Sequence, residues 1–472
     1  MIGLGKYSSV ICAFIANIIL ARILTPEEYG VVAVVTVFTS FFMLFTDMGF
    51  GAGIIQNKEL TEDDINSVFS FTVYIGLICM AVFCLFVPAI AFIYSNRVYL
   101  PIGYVLSISL FFHSLNMVPN GLLMRSKCFA VVGSRTFAVS LVTYAITILL
   151  AVRGASYYAL VFQSVVYAFL TFLWNYMGTR PKFVLKPRYA SLKKILSFSA
   201  NSFLYDIINY ATRNIDSLLT GSMIGEAALG YYNKAYTLML YPTHYLTNII
   251  TPVMHPILSD YRDKKVIYIK YSKVNHFLTL VGVFISAYCF YAAEELICIL
   301  YSTDWAAAVP CMKVLSLSIF IQMSVSSCTS IFRSLNRTDL RLKSCLVYAP
   351  VQIVMIILGV RTGSIEQLAV YVTISYVARY CIEYYYLIHK AFEMSLKEYV
   401  KENIGSIAIF AVLMIVMYFT KWISTDNMLQ SAVMKLVICI LAYIIALIVF
   451  RQIKFFISIL PDRFQKKIKY NK

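Results

Sequence analysis

Residues 195–222 read ILSFSANSFLYDIINYATRNIDSLLTGS. Within this apolar run Ser202, Asp206, Asn209, Arg213, Asp216 and Thr220 recur at steps of four, three, four, three and four. On a helix turning about 100° per residue all six fall within roughly an 80° arc. The remaining positions, among them Phe203, Leu204, Ile207, Ile208, Ile215, Leu218 and Leu219, suit lipid or a protein core. Ionisable groups at bilayer depth are costly unless they face water, a partner or a ligand. A stripe with two carboxylates and a guanidinium therefore points to a polar cavity inside a membrane protein.

The rest of the chain agrees. Of its 472 residues 60% are hydrophobic and 13% charged, and the mean hydropathy is +0.76. Apolar runs long enough for a hydrocarbon core of about 30 Å recur throughout. The sequence predicts an all-α polytopic protein of about 14 transmembrane helices. They are 6–24, 31–54, 67–94, 100–123, 136–152, 156–177, 195–222, 232–254, 274–300, 308–331, 344–360, 365–389, 403–420 and 431–450. Arg22 and the Thr25-Pro26-Glu27-Glu28 turn, not a small-residue cleavage site, follow the first run, which is read as an uncleaved anchor. The 11 cysteines form no CxxC pair and lie mostly in apolar runs, so buried free thiols are expected, not a metal site.

The net charge of +17 is distributed as topology requires, which argues against nucleic acid as a partner. Odd-numbered connections hold about one basic residue each, for example Arg22, Arg97, Arg153 and Lys234. Even-numbered ones are richer: Arg125, Lys127 and Arg135; then Arg180, Lys182, Lys186, Arg188, Lys193 and Lys194; then Arg333, Arg337, Arg341 and Lys343. The positive-inside rule places both termini and the even connections in the cytoplasm. The basic tail is suited to anionic membrane lipid.

The longest polar stretch, 178–194, separates six spans from eight. The expected organisation is an N-terminal lobe (1–177), a basic cytoplasmic linker (178–194), a C-terminal lobe (195–390) and two extra helices with a basic tail (391–472). Two short similarities support paired lobes. Ile23-Leu24-Thr25-Pro26-Glu27-Glu28-Tyr29-Gly30 and Met223-Ile224-Gly225-Glu226-Ala227-Ala228-Leu229-Gly230 lie 200 residues apart, each an acidic turn ending at a glycine. Leu123-Met124-Arg125-Ser126 likewise echoes Ile331-Phe332-Arg333-Ser334. Two six-helix repeats would be parallel, around a central cavity.

Leu20-Ala21-Arg22-Ile23-Leu24-Thr25-Pro26-Glu27-Glu28-Tyr29-Gly30, followed by Asp47-Met48-Gly49-Phe50-Gly51-Ala52-Gly53, resembles the opening of polysaccharide flippases. These form the Wzx-like polysaccharide transporter branch of the multidrug/oligosaccharidyl-lipid/polysaccharide exporter (MOP) superfamily. Asp216-Ser217-Leu218-Leu219 through Tyr236, Trp305-Ala306-Ala307-Ala308-Val309-Pro310 and Asn336-Arg337-Thr338-Asp339-Leu340-Arg341 extend the similarity. It reaches about residue 345 and says nothing of the sugar. The resemblance implies a V-shaped pair of helical bundles working by alternating access in the bacterial cytoplasmic membrane. The implied substrate is an undecaprenyl-diphosphate-linked oligosaccharide for capsule, exopolysaccharide or O-antigen. Ser222 stands where the family pattern usually places a positive residue nearby, so no second counterpart of Arg22 is carried over.

A diphosphate with its sugars crosses hydrocarbon only if protein supplies cations, hydrogen bonds and water. Arg213 offers bidentate contact to phosphate oxygens, and Ser202, Asn209 and Thr220 hydrogen bonds to sugar. Asp206 and Asp216 either clamp Arg213 or bind a coupling H+ or Na+; no other cofactor is expected. Arg22, Arg125 and Arg333 stand at helix ends, as cavity-mouth cations or as topology signals. Asp47 is either a pathway carboxylate or a helix-end residue. Arg379 lines the cavity or pairs with Glu383 at i,i+4, and His113 is a proton-coupling group or a core histidine. Alternatives within the superfamily are a drug/cation antiporter, with Asp206 and Asp216 as the cation ligands, or a peptidoglycan-precursor lipid flippase. From another class comes a non-transporting scaffold of a polysaccharide assembly complex. Polysaccharide polymerase and glycosyltransferases are the expected protein partners. The sequence carries no nucleotide-binding loop or catalytic motif, so no enzyme activity is expected.

Overall fold

The computed structural model describes residues 2–47, 50–57, 59–126, 128–196, 200–259, 261, 263–335, 337–422, 427–452 and 455. Among them the regular structure is helical throughout. Contacts divide the chain into two compact units, Met1–Asn233 and Lys234–Lys472.

The first unit contains α1 (Ile2–Ile23), α2 (Pro26–Asp47), α3 (Phe50–Gln56), α4 (Glu62–Ile93), α5 (Tyr99–Arg125), α6 (Phe129–Val152), α7 (Tyr158–Thr179), α8 (Tyr189–Leu196) and α9 (Ala200–Met223). It ends on the opening turns of α10 (Glu226–Ser259). Its largest described core joins Val31 and Val35 to Phe83, Val87, Tyr99, Leu106, Val161 and Leu229. α4 starts at a full capping box: the Thr61 hydroxyl accepts from Asp64 N, and the Asp64 carboxylate accepts from Thr61 N. Two of the orphan amide donors at the helix start are thereby satisfied.

The second unit continues with α11 (Lys264–Tyr291), α12 (Ala293–Tyr301), α13 (Val309–Ser316), α14 (Ile319–Ser326), α15 (Cys328–Ser334), α16 (Thr338–Arg361), α17 (Ile365–Tyr384), α18 (Leu396–Tyr418) and α19 (Met428–Val449). One of its cores packs Leu280 and Val283 of α11 against Ile409 and Leu413 of α18 and Cys439 of α19. Tyr385–Ala391 prolongs α17 as a π-helical turn.

The expected spans fall mainly on helix, but 31–54 is divided between α2 and α3, 195–222 between α8 and α9 and 274–300 between α11 and α12, and the expected count of 14 is not confirmed. Nine helices among the described residues are long and apolar enough to cross a membrane, or up to ten if one bent pair counts as a single span. The span expected over 308–331 is three short helices, bent by 54° between Thr303–Ser316 and Ile319–Ser334. Its serines account for this. Ser316 and Ser318 hydroxyls donate to the Lys313 and Leu315 carbonyls at 2.7 Å, and Ser286 of α11 donates to the Ser316 carbonyl at 2.5 Å. Carbonyls freed by a broken helix are tolerated at membrane depth only with such partners.

Several basic residues counted above as loop charges lie inside helices, and two of those described are buried there. Arg135 is two turns into α6 and 7% exposed; Lys234 is two turns into α10 and 6% exposed. For Arg135 hydropathy placed the helix start too late, because a buried cation lowers the local hydropathy without ending the helix, whereas Lys234 already falls inside the expected span 232–254.

Candidate functional site

The polar stripe lies on α9, as its period predicts. The side chains of Ser202 and Asp206 lie outside the described residues. Over the second half of the helix the stripe divides. Arg213 is exposed and Asn209 half-buried, whereas Asp216 and Thr220 are 3% and 0% exposed. The Thr220 hydroxyl bonds back to the Asp216 carbonyl at 2.6 Å. The Asp216 carboxylate accepts from the Tyr232 hydroxyl at 2.7 Å and from Ser217 N at 2.7 Å. Among the described residues no ion pair joins Arg213 to Asp216, and the side chain of Asp206, the other carboxylate of the expected clamp, lies outside them. Ser217 donates to Asn233 at 3.3 Å, continuing the polar seam between α9 and α10.

The outer faces of α9 hold it against its neighbours. Tyr210 donates to the Val37 carbonyl at 2.6 Å, and Tyr94 to the Leu218 carbonyl at 2.9 Å. Beyond the helix, Glu226 Oε1 accepts from the Tyr99 hydroxyl at 2.6 Å and from Asn96 Nδ2 at 2.9 Å. Here the two turns related by 200 residues meet. A Cβ on Gly30 would stand 1.8 Å from the Glu226 carbonyl oxygen, and one on Gly230 would stand 1.9 Å from the Pro26 carbonyl oxygen. The contact is reciprocal: each glycine lies against the first residue of the other helix. Their shared glycine thus has a packing cause.

The other anticipated residues are scattered. Arg22 is exposed in the last turn of α1, Asp47 exposed at the end of α2, Arg125 half-buried at the end of α5 and Arg333 exposed on α15. Arg379 pairs with Glu383 at 2.8 Å, as their spacing predicts, and lies 4.6 Å from the centroid of the Tyr348 ring. His113 is half-buried in α5.

Three buried polar groups escaped sequence reasoning as site residues. Arg135 donates to Asn175 Oδ1 at 2.5 Å, Asn120 Oδ1 at 3.3 Å and Thr136 Oγ1 at 3.2 Å, and no described carboxylate stands within ion-pair distance. Asn175 in turn donates to Asn116, tying α5, α6 and α7 together. In the second unit, Lys234 lies 5.1 Å from the Tyr301 ring centroid and 5.5 Å from that of Trp305. Trp305 opens the Trp-Ala-Ala-Ala stretch already noted. Glu295 of α12 is paired with Lys435 of α19 and accepts from Ser431 at 2.6 Å. No sequence spacing signals these contacts, since apart from the adjacent Thr136 their partners stand 15 to 140 residues away. Among the described residues no group of His, Cys, Asp and Glu is arranged to hold a metal ion.

Among the described residues the chain is all-helical with a broken span and buried polar seams, and solved structures share its fold. The structure titled "Lipid II flippase MurJ, inward closed conformation" superposes with a TM-score of 0.77 at 14% identity, covering 96% of this chain and 99% of that one. An inward-facing multidrug-resistance MATE transporter of the MOP superfamily gives 0.62 at 14% identity, covering 80% and 93%. The chain belongs to the family described as "Polysaccharide biosynthesis protein", whose model matches residues 19–310. Among curated relatives, "Teichuronic acid biosynthesis protein TuaB" of Bacillus subtilis (strain 168) is 25% identical over 93% of this chain and 92% of its own length. "Lipopolysaccharide biosynthesis protein WzxC" of Escherichia coli (strain K12) is 22% identical over 72% and 71%. The expected family, all-helical fold and transporter class accord with these likenesses.

Proposed function

We propose that this protein is a flippase that moves a lipid-linked oligosaccharide repeat unit, carried on undecaprenyl diphosphate, across the bacterial cytoplasmic membrane by alternating access. The observation that carries the reading is the extent of the likeness, on top of family membership. The MurJ fold accounts for 96% of the chain, whereas the MATE match leaves about a fifth of it uncovered. A lipid-carried substrate is thereby favoured over a drug or cation. Both termini and the basic connections would face the cytoplasm, consistent with the distribution of Lys and Arg.

Arg213 is the cation proposed to meet the diphosphate: it is exposed on a helix otherwise anchored by Tyr210, Leu218 and Asp216. Its planar fork suits two phosphate oxygens. Arg22, Arg125 and Arg333 serve as further attractive charges at helix ends, and Asn209 as a sugar contact. Asp216, buried and held by neutral donors, is proposed to carry the coupling H+ or Na+. The test is deletion with complementation. Loss of surface polysaccharide, with lipid-linked repeat units accumulating on the inner leaflet and rescue by the intact gene, supports the flippase. Altered drug susceptibility with unchanged polysaccharide would replace it with an antiporter.

A further inference from the structure

The stretch between α7 and α8 is laid along a helix. Lys182 N donates to Asn66 Oδ1 at 2.7 Å, Val184 N donates to Ser70 Oγ at 2.7 Å, and the Leu185 carbonyl accepts from the Tyr74 hydroxyl at 2.9 Å. Asn66, Ser70 and Tyr74 are spaced four apart on one face of α4, a step of about 6 Å. Two residues of extended chain advance by about 6.5 Å, so the ladder of side chains matches the segment's backbone groups. Ser191 completes the attachment by donating to Asp64 at 2.6 Å.

What this strap presents outward is mixed in character. Phe183, Val184 and Leu185 are 47%, 39% and 78% exposed, although they are the apolar part of the segment. Around them stand the exposed cations Lys182, Lys186 and Arg188, in a chain section stiffened by Pro181 and Pro187. Lys182 lies 4.0 Å from Glu62 and Arg188 3.6 Å from Asp63, pairs whose side chains are at least 70% exposed and hence weakly committed to each other.

Depth follows from helix length. The 32 residues of α4 span ~48 Å, well beyond a hydrocarbon core of about 30 Å. If the Ile93 end meets one edge of that core, the other edge falls near Tyr74. Residues 66–74, and the strap on them, then occupy the headgroup layer, with Leu185 at the acyl boundary. Irregular backbone at this level needs internal partners, and the three α4 side chains supply them. Apolar residues flanked by Lys and Arg are the composition of an interfacial anchor.

We propose that residues 180–189 form an interfacial anchor that seats Phe183, Val184 and Leu185 at the acyl boundary of the inner leaflet. There Lys182, Lys186 and Arg188 bind the headgroups of acidic phospholipid. The proposal rests on membrane insertion alone and is independent of the transported substrate.

The test uses the full-length protein in nanodiscs that contain no lipid-linked sugar. Leu185→Trp adds one emitter, and the parent chain, with its three tryptophans, is subtracted. Acyl-brominated phosphatidylglycerol and acyl-brominated phosphatidylcholine are compared as equal minor fractions. The added emission should be quenched, and the brominated anionic lipid should be enriched at the site about fivefold, the preference one unpaired surface cation confers. K182Q/K186Q/R188Q in the Leu185→Trp background should abolish the preference while quenching persists. Added emission that no brominated lipid quenches would overturn the anchor, showing the strap covered by protein or open to water. Equal quenching by both lipids would overturn the acidic-headgroup assignment. Phe183→Trp, read in the same way, guards against misfolding of the first variant.

Discussion

The crossing of α2 and α10 allows a sharp prediction, because backbone meets backbone on both sides. Gly30→Ala would put a methyl group 1.8 Å from the Glu226 carbonyl oxygen, where contacts under 3.0 Å essentially never occur. The helices must therefore part by at least 1.2 Å, the difference between those distances. No side-chain rotation relieves this. Overpacking of a tight contact costs about 1–3 kcal/mol, and the upper end applies where the obstacle is main chain. Gly230→Ala, 1.9 Å from the Pro26 carbonyl oxygen, should cost the same, since it opens the same crossing from the other side. The double variant should then cost clearly less than the sum, because one separation relieves both clashes. The assay is the apparent melting temperature in detergent at a fixed scan rate, chosen because unfolding of such proteins is commonly irreversible. Gly51→Ala is the control: it lies in α3 with nothing within 4 Å of its Cβ, and alanine there should be neutral or slightly stabilising. If Gly30→Ala melts with Gly51→Ala, or if the two costs simply add, the reciprocal crossing is not the tight contact described.

Tyr232→Phe removes a hydrogen bond from the buried Asp216 carboxylate and should destabilise by about 1.5–3 kcal/mol; an unchanged melting temperature would show that Asp216 is solvated another way. Arg379→Ala should cost about 3–5 kcal/mol by leaving the buried Glu383 without its partner, and adding Glu383→Leu should restore much of the loss, which a double-mutant cycle measures. Arg213→Ala, at an exposed position, should leave stability within about 0.5 kcal/mol. The same change should abolish complementation of a deletion strain, and normal surface polysaccharide would remove Arg213 from the transport path.

Helix positions were legible in the sequence because a helix satisfies its own backbone, so apolar length and period suffice to place it. The pairing of Arg379 with Glu383 was legible for the same reason: both residues lie on one helix, four positions apart. The match between Pro26–Gly30 and Glu226–Gly230 marked two equivalent turns without revealing that they touch. The tertiary structure decided which helices stand side by side. It thereby turned Asp216 toward Tyr232, brought Asn96 and Tyr99 to Glu226, surrounded Arg135 with Asn120 and Asn175, and set Tyr301 and Trp305 near Lys234. A period of 3.6 tells which residues share a face, and says nothing of what that face meets. The stripe of residues 195–222 is the clearest case. One helical face was predicted from spacing, but only the folded chain brings Tyr232 of α10 onto Asp216 and buries Asp216 and Thr220 beside exposed Arg213.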